Sequence, residues 1–236
     1  MRIAGDDVMT RRLVIFDCDG TLVDSQNSIV ASMNAAYVSV GLEPPARAAV
    51  LGVVGLSLPE AFAVLAGTHP LEVQAQLAQY YRTAFPGTRE TMLKQDPHYP
   101  GTRETIAMLA ARRDMLLGVA TGKSRRGVAR LFDREGWHSH FVTIQTADDN
   151  PSKPHPSMIL KAMAETGVAP EHTVMIGDTS FDMEMARSAG VGAVGVAWGY
   201  HTADRLRAAG AHVVVADAAE LAVAVDMSFA ANEARA

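Results

Sequence analysis

The sequence contains a single cysteine, Cys18, among its 236 residues. One thiol excludes an intramolecular disulfide, and no spacing of cysteine and histidine residues is typical of a zinc site. No apolar run is long enough to cross a bilayer, and the segment from Met1 to Arg12 lacks the apolar core of a signal peptide. We therefore expect a cytoplasmic protein that does not associate with a membrane.

Basic residues are fewer than acidic ones, with 21 lysines and arginines against 26 aspartates and glutamates and a formal net charge of −5. No basic field favours nucleic acid, and no cationic helix indicates a membrane surface. We expect a small molecule as the partner, while the oligomeric state is left open. The hydrophobic content of 48% supports a good core, as one domain or as a domain that carries an insertion.

Two aspartates, Asp17 and Asp19, lie one residue apart at the end of the apolar run from Leu13 to Phe16. Side chains alternate along a strand, so both carboxylates project to one side while Cys18 turns to the other. Negative charges this close require a cation, a shared proton or full hydration, and a divalent metal meets the requirement most simply. A solvated turn at a strand end is the alternative interpretation.

The chain from about residue 23 to about residue 94 is predicted to be all helical. Apolar residues recur at helical spacing, and Gly41 followed by Pro44-Pro45 ends the first helix. Ser57 and Glu60 predict a capping box at the start of a later helix. Residues 86–100 carry the turn and linker signals that end this helical block.

From Tyr99 onward, apolar strands alternate with helices, which is typical of a parallel sheet covered on both faces. The predicted strands are Met115–Ala120, Phe141–Gln145, Thr173–Ile176, Ala193–Val196 and His212–Val215. The run from Leu13 to Phe16 adds the first strand. We predict an α/β fold, a Rossmann-like parallel sheet core formed by residues 1–22 and 95–236, with residues 23–94 as a small all-helical insertion.

Four polar segments follow predicted strands, where parallel sheets bind their ligands. They are Asp17-Cys18-Asp19-Gly20-Thr21, Thr121-Gly122-Lys123-Ser124, Ser152-Lys153-Pro154-His155-Pro156 and Gly177-Asp178-Thr179-Ser180-Phe181-Asp182. Carboxylates from two strand ends can hold Mg²⁺, a lysine can hold a phosphate, and a hydroxyl beside backbone amides can complete an anion site. Each of these residues also has a simpler interpretation when it is taken alone. Thr121-Gly122 could cap a helix, and Lys153 could be a surface lysine. Asp178 could be a turn residue and Asp182 an N-cap.

In order and strand context, these residues resemble the motifs of the haloacid dehalogenase superfamily. The motifs are Asp17-x-Asp19-Gly20-Thr21, Thr121, Lys153-Pro154 and Gly177-Asp178-x-x-x-Asp182. The match extends from about Leu13 to about Val225, and the helical insertion resembles the small cap domain of that superfamily. The whole chain is similar to the phosphoglycolate phosphatase-like branch, which implies a Mg²⁺-dependent phosphatase acting on a small phosphorylated metabolite.

The resemblance implies a role for each motif residue. Asp17 would attack phosphorus and become an aspartyl phosphate, and Asp19 would act as the acid and then the base. The predicted contacts of the phosphoryl group are Gly20, Thr21, Thr121, Gly122 and Lys153. The predicted metal ligands are Asp17, the backbone carbonyl of Asp19, and Asp178, with Asp182 supporting Lys153 or a metal-bound water.

The leaving group is predicted from the loop between Gly52 and Ser57. Gly52 and Gly55 allow close backbone approach, and the Ser57 hydroxyl could recognise a small anion, so phosphoglycolate is the leading substrate. The alternative is that these residues only end one helix and cap the next. Pyrophosphate, a nucleotide, a sugar phosphate, a sugar phosphomutase reaction and a non-catalytic binding protein remain as alternatives.

Overall fold

The structure is a computed structural model that describes residues 10–83 and 96–234. Its centre is a sheet of six parallel strands in the order β3-β2-β1-β4-β5-β6. The strands are β1 (Arg12–Phe16), β2 (Met115–Thr121), β3 (Phe141–Thr146), β4 (Thr173–Gly177), β5 (Gly192–Val196) and β6 (Val213–Val215). The predicted α/β fold is confirmed, and the predicted strands differ from the observed ones by one residue at their ends.

Strand β1 lies in the middle of the sheet, paired with β2 on one side and β4 on the other. A central strand of a parallel sheet is covered on both faces, which explains its uninterrupted apolar sequence. Val14 and Phe16 pack into the core on one face, and Leu13 and Ile15 pack into the core on the other. The chain therefore leaves β1 at the middle of the carboxyl edge, where Asp17 follows.

Six helices cover the two faces of the sheet. One face is covered by α5 (Thr102–Ala110), α6 (Arg125–Glu135) and α10 (Leu221–Glu233). The other face is covered by α7 (Ser157–Thr166), α8 (Ser180–Ala189) and α9 (Ala203–Ala208). None of the helices in the described part of the chain is long and apolar enough to cross a membrane.

Between β1 and the rest of the sheet, the described residues form four helices with an apolar core of their own. They are α1 (Gln26–Ser39), α2 (Arg47–Leu51), α3 (Leu58–Leu65) and α4 (Leu71–Thr83). The centre of this helical cap is formed by buried side chains that include Met33, Tyr37, Phe62 and Leu77. The predicted boundaries at residues 23 and 94 stay a prediction, because residues 84–95 lie outside the described residues.

The predicted capping box at Ser57 is wrong. Ser57 is the N-cap residue of α3, but its side chain makes no capping hydrogen bond. Its backbone N–H instead donates to the Ser152 hydroxyl of the core at 2.7 Å, so this helix start is docked against another part of the chain. A capping box forms instead at α8, where Thr179 and Asp182 bond reciprocally. Thr179 is therefore the N-cap residue, and Asp182 lies in the first turn of the helix and is not its N-cap.

Candidate active site

The carboxyl ends of β1, β2 and β4 meet at one edge of the sheet. This edge carries Asp17 after β1, Thr121 at the end of β2 and Asp178 after β4, and Lys153 reaches it from the loop after β3. All four residues are buried, with at most 1% of their surface exposed. The parallel topology therefore gathers the predicted catalytic side chains into one cluster.

Asp17 is the carboxylate at the centre of this cluster. Its Oδ1 accepts a hydrogen bond from the backbone N–H of Cys18 at 2.6 Å, and its Oδ2 lies 3.0 Å from Lys153 Nζ. Burial raises the pKa of Asp17 to about 6, while the positive charge of Lys153 and a hydrogen bond from Thr121 act to lower it. The ionised carboxylate, which is the nucleophilic form, thus depends on neighbouring positive charge.

Lys153 supplies that charge from a fully buried position. Its ammonium lies 2.6 Å from Asp182 Oδ1 and 3.0 Å from Asp17 Oδ2. Burial alone lowers the pKa of Lys153, but Asp17 and Asp182 outweigh it and hold the pKa above its usual value. The second oxygen of Asp182 accepts bonds from the backbone and hydroxyl of Thr179. The structure places Asp182 as the support of Lys153, one of its two predicted roles.

Asp178 is enclosed by tightly packed backbone. Its carboxylate accepts hydrogen bonds from the Thr21 hydroxyl at 2.8 Å and the Tyr200 backbone N–H at 2.9 Å. Gly20 has a φ of +87°, and a Cβ there would lie 2.2 Å from an Asp178 oxygen. Burial and then the charges of Asp182 and Asp17 raise the pKa of Asp178 well above its usual value. Gly20 and Thr21 therefore contact a predicted metal ligand and do not line the cavity above it.

The carboxylates of Asp17, Asp178 and Asp182 form a group that suits a metal ion. One oxygen from each lies within 4.8 Å of the others. Asp17 Oδ2 has no hydrogen-bond partner among the described residues, although the Lys153 ammonium is near. An all-oxygen set of carboxylates suits a hard cation such as Mg²⁺, and a cation would favour the ionised form of Asp178, which burial and the charges of Asp182 and Asp17 disfavour. The residues present therefore fit a divalent metal.

Asp19 has a partner that the sequence analysis did not identify. Lys123 Nζ lies 2.6 Å and 2.8 Å from the two carboxylate oxygens, and the Ser25 hydroxyl donates to Oδ1 at 2.6 Å. The Tyr200 hydroxyl lies 3.0 Å from Ser25 Oγ. These contacts fix the direction of the Asp19 carboxylate. The signal available in the sequence was the position of Lys123, two residues after Thr121 at the same strand end.

The cap loop with the predicted substrate contacts is docked onto the core. A Cβ at Gly122 would lie 2.6 Å from the Gly55 carbonyl oxygen and 2.7 Å from that of Leu56, so only glycine permits this approach. Gly55 and Ser57 line the cavity above Asp17, whereas Gly52 is not one of its lining residues. The loop thus forms part of a roof that lies over the carboxylate cluster.

The cavity between core and cap has a volume of about 520 Å³. Its floor includes Asp17, Asp19, Thr121 and Gly122, so two of the predicted phosphoryl contacts face it directly. The rest of its roof is formed by side chains of α1 to α4 that were not predicted from the sequence as substrate contacts. The site therefore combines a buried, charged floor with a separate roof built by the helical cap.

Comparison with known proteins gives a family match over most of the chain. The family model described as haloacid dehalogenase-like hydrolase matches residues 14–196. A relative named probable phosphatase IndB from Dickeya dadantii is 38% identical over 209 residues, covering 86% of this chain and 88% of the relative. A phosphoglycolate phosphatase of Pseudomonas putida is 30% identical, covering 87% of this chain and 76% of the relative.

Other relatives carry different names. A protein named pyrophosphatase PpaX from Oceanobacillus iheyensis is 28% identical, covering 94% of this chain and all of the relative. Among solved structures, a hydrolase from Pseudomonas syringae superimposes with a TM-score of 0.81 at 26% identity, covering 92% of this chain and 99% of that chain. The relatives agree on phosphate chemistry in their names and differ in the substrate that those names imply.

Proposed function

The chain belongs to the haloacid dehalogenase-like hydrolase family and is a hydrolase of phosphate esters, and from this premise we propose that it is a Mg²⁺-dependent phosphatase with Asp17 as nucleophile. One observation carries the proposal. Asp17 is buried beside the Lys153 ammonium and yet lines the cavity between core and cap. In that position the positive charge of Lys153 favours the ionised form of the carboxylate, and a phosphoryl group in the cavity can reach it.

The first step forms a bond between an Asp17 oxygen and phosphorus while the bond from phosphorus to the ester oxygen breaks. Asp19 donates a proton to the departing oxygen, so an alcohol leaves and Asp17 carries an aspartyl phosphate. Lys153 stays within 3.0 Å of the Asp17 carboxylate and neutralises its charge. Thr121 and the Gly122 amide face the same space and bind phosphoryl oxygens.

The second step hydrolyses the aspartyl phosphate. Asp19, held by Lys123 and Ser25, takes a proton from the attacking water. The bond between phosphorus and the Asp17 oxygen breaks, inorganic phosphate leaves and the carboxylate is restored. Asp17, Asp178 and the Asp19 carbonyl would hold the Mg²⁺, which would supply positive charge for the carboxylates and the phosphoryl oxygens.

The proposal is tested by phosphate release from p-nitrophenyl phosphate, a substrate with a reactive leaving group. We expect release that requires added Mg²⁺ and stops with EDTA, and a loss of about 10³-fold or more in Asp17→Asn. Asp204→Asn is the matched control, because the Asp204 side chain is 97% exposed on α9. Mass spectrometry of acid-quenched enzyme should find a phosphate on the peptide that contains Asp17. Full activity in Asp17→Asn contradicts the mechanism.

The names of the relatives provide the candidates for the natural substrate. Phosphoglycolate is the first candidate from the names of relatives, and pyrophosphate is another. The charged floor contacts only the phosphoryl group in this mechanism, so it does not separate these substrates. Discrimination between leaving groups therefore falls to the cap.

A further inference from the structure

The roof of the cavity is predominantly apolar. Side chains of the cap that line it are mostly hydrocarbon and belong to α1, α2, α3 and the loop between α2 and α3: Ile29, Met33, Val50, Val53, Val54, Leu58 and Ala61. Met33 and Val50 belong to the buried core of the cap, with at most 3% of their surface exposed, whereas Ile29 and Leu58 are only partly buried. The cap thus presents a mainly hydrocarbon wall above the phosphoryl site, and Ile29 and Leu58 are the side chains that offer surface to a ligand.

The cap also lines the cavity with polar residues, which include Ser28, Ser32, Ser57 and Tyr81. The Ser32 hydroxyl donates to the Ser28 carbonyl at 2.6 Å, and the Ser28 hydroxyl makes bonds to Ser25 and Asp96. Among the described lining residues, the charged groups contributed by the cap are Glu60 and Arg82, and both are exposed. No buried cation of the described cap residues therefore faces the place where a small carboxylate would lie.

The volume of the cavity also exceeds the needs of a small hydroxy acid. At about 520 Å³ it falls in the range of pockets that enclose drug-sized ligands, roughly 300–1,000 Å³. An apolar roof of this kind gains affinity from ligand hydrocarbon that leaves water, and glycolate offers very little. The apolar wall and the volume of the cavity both favour a leaving group with more hydrocarbon than glycolate.

We propose that the leaving group is an alcohol with an apolar body, an alkyl chain of several carbons or an aromatic ring, that packs against Ile29 and Leu58. The inference rests on the proposed phosphatase activity and names the substrate class of that site. It differs from the expectation of a small anionic leaving group bound by the loop from Gly52 to Ser57. In this arrangement the floor binds the phosphoryl group, and the roof selects esters by the hydrocarbon they bury.

The test compares ethyl, butyl and hexyl phosphate on the full-length protein with Mg²⁺. Their alcohols have similar acidity, so the series varies buried hydrocarbon and not chemical reactivity. Each buried methylene is expected to raise kcat/KM about fourfold, so the four methylenes added from ethyl to hexyl phosphate give a rise of about 250-fold if all are buried. Phosphoglycolate should be hydrolysed less efficiently than hexyl phosphate.

A variant in the wall makes the test specific. Leu58→Asp places a charge at the first residue of α3, where a helix tolerates an acidic side chain, and it should lower the ratio of hexyl to ethyl phosphate activity about tenfold or more. Val64→Asp is the matched control, since Val64 is 64% exposed on the same helix and is not a lining residue. Ile29→Ala should lower the same ratio by loss of contact if Leu58→Asp does not fold, because Ile29 lines the cavity and is only partly buried.

The outcomes separate this inference from the proposed function. A flat alkyl series, or a preference for phosphoglycolate over hexyl phosphate of about tenfold or more, together with release from p-nitrophenyl phosphate, overturns the apolar leaving group and leaves the phosphatase intact. Absence of Mg²⁺-dependent release from every ester, including p-nitrophenyl phosphate, overturns the proposed function and this inference with it. A rising series that Leu58→Asp flattens and Val64→Asp preserves supports it.

Discussion

The floor and the roof of the cavity are built by opposite means. The floor rests on a buried charged cluster of Asp17, Lys153, Asp178 and Asp182, which come from the segments that follow β1, β3 and β4. The roof comes from one continuous segment of the chain, and its inner surface is mostly hydrocarbon. Buried charges are stable only with fixed partners, whereas an apolar wall can change its shape by exchanging one aliphatic side chain for another.

This difference separates reaction class from substrate. The charges of this cluster constrain one another, because removal of Lys153 leaves Asp17 and Asp182 buried without their shared partner. The roof residues pack within the cap and do not hold the charges of the floor in place. Relatives named as a phosphoglycolate phosphatase and as a pyrophosphatase are consistent with a shared reaction and a variable leaving group.

The largest effect is expected from removing the buried cation of the floor. Lys153→Met should reduce phosphate release about 10³-fold or more and destabilise the protein by about 3 kcal/mol, because Asp17 and Asp182 lose their shared partner. Denaturant unfolding and steady-state kinetics measure the two effects. Lys161→Met is the control, since Lys161 lies on the exposed side of α7 and bonds only a backbone carbonyl in the described contacts. Activity within about tenfold of the parent contradicts the role of Lys153.

The next effect concerns the orientation of the acid on the floor. Lys123→Met should lower kcat for alkyl phosphates about 100-fold, because Asp19 loses the contact that directs its carboxylate. The loss should be much smaller with p-nitrophenyl phosphate, whose leaving group departs without a proton. Lys123→Arg should restore part of the activity. Equal losses for both kinds of ester show that Lys123 does not act through Asp19.

A smaller effect is expected where the roof meets the floor. Gly122→Ala inserts a methyl group against the carbonyl oxygens of Gly55 and Leu56 and should displace the docked cap loop. We expect KM to rise about tenfold with a smaller change in kcat, because the floor keeps its geometry. Ser152→Ala removes only the hydrogen bond from the Ser57 amide and should raise KM less. An unchanged KM in Gly122→Ala indicates that this docking is not required for binding.

The smallest effect is expected at Asp96, whose carboxyl group accepts a hydrogen bond from the Ser28 hydroxyl of α1. Burial raises the pKa of Asp96 to about 6, against about 3.9 in an unfolded chain, so the folded state binds more protons between these values. Stability contributed by this group should therefore fall as pH rises from about 4 to about 6. Asp96→Asn removes the titration and keeps the acceptor for the Ser28 hydroxyl. The variant should be more stable by about 1 kcal/mol at pH 7.5, with no difference near pH 4.

Denaturant unfolding of the parent and the Asn variant across this pH range measures the difference directly. Other groups titrate equally in both proteins, so the difference isolates Asp96. A gap that stays constant from pH 4 to pH 7.5 shows that the carboxyl group has an ordinary pKa in the folded protein.

Much of the fold was predictable from sequence because its signals are local. Apolar runs of strand length alternate with helical patterns, and each run ends at a turn or a polar segment. The order of the strands in the sheet was not predictable in the same way, since neighbours such as β1 and β4 are far apart in the chain. The error at Ser57 has a related cause, because its amide is satisfied by Ser152 of the core.

The sequence by itself determined that Asp17, Asp19, Lys153 and Asp178 stand at strand ends, where a parallel sheet brings polar segments together. Only the tertiary structure decided that Asp182 supports Lys153, that Lys123 holds Asp19, and that the cap covers them with hydrocarbon. Sequence patterns report the period of burial along a single segment. Contacts between segments depend on how the strands are ordered and how the cap docks, and no local pattern encodes those distances.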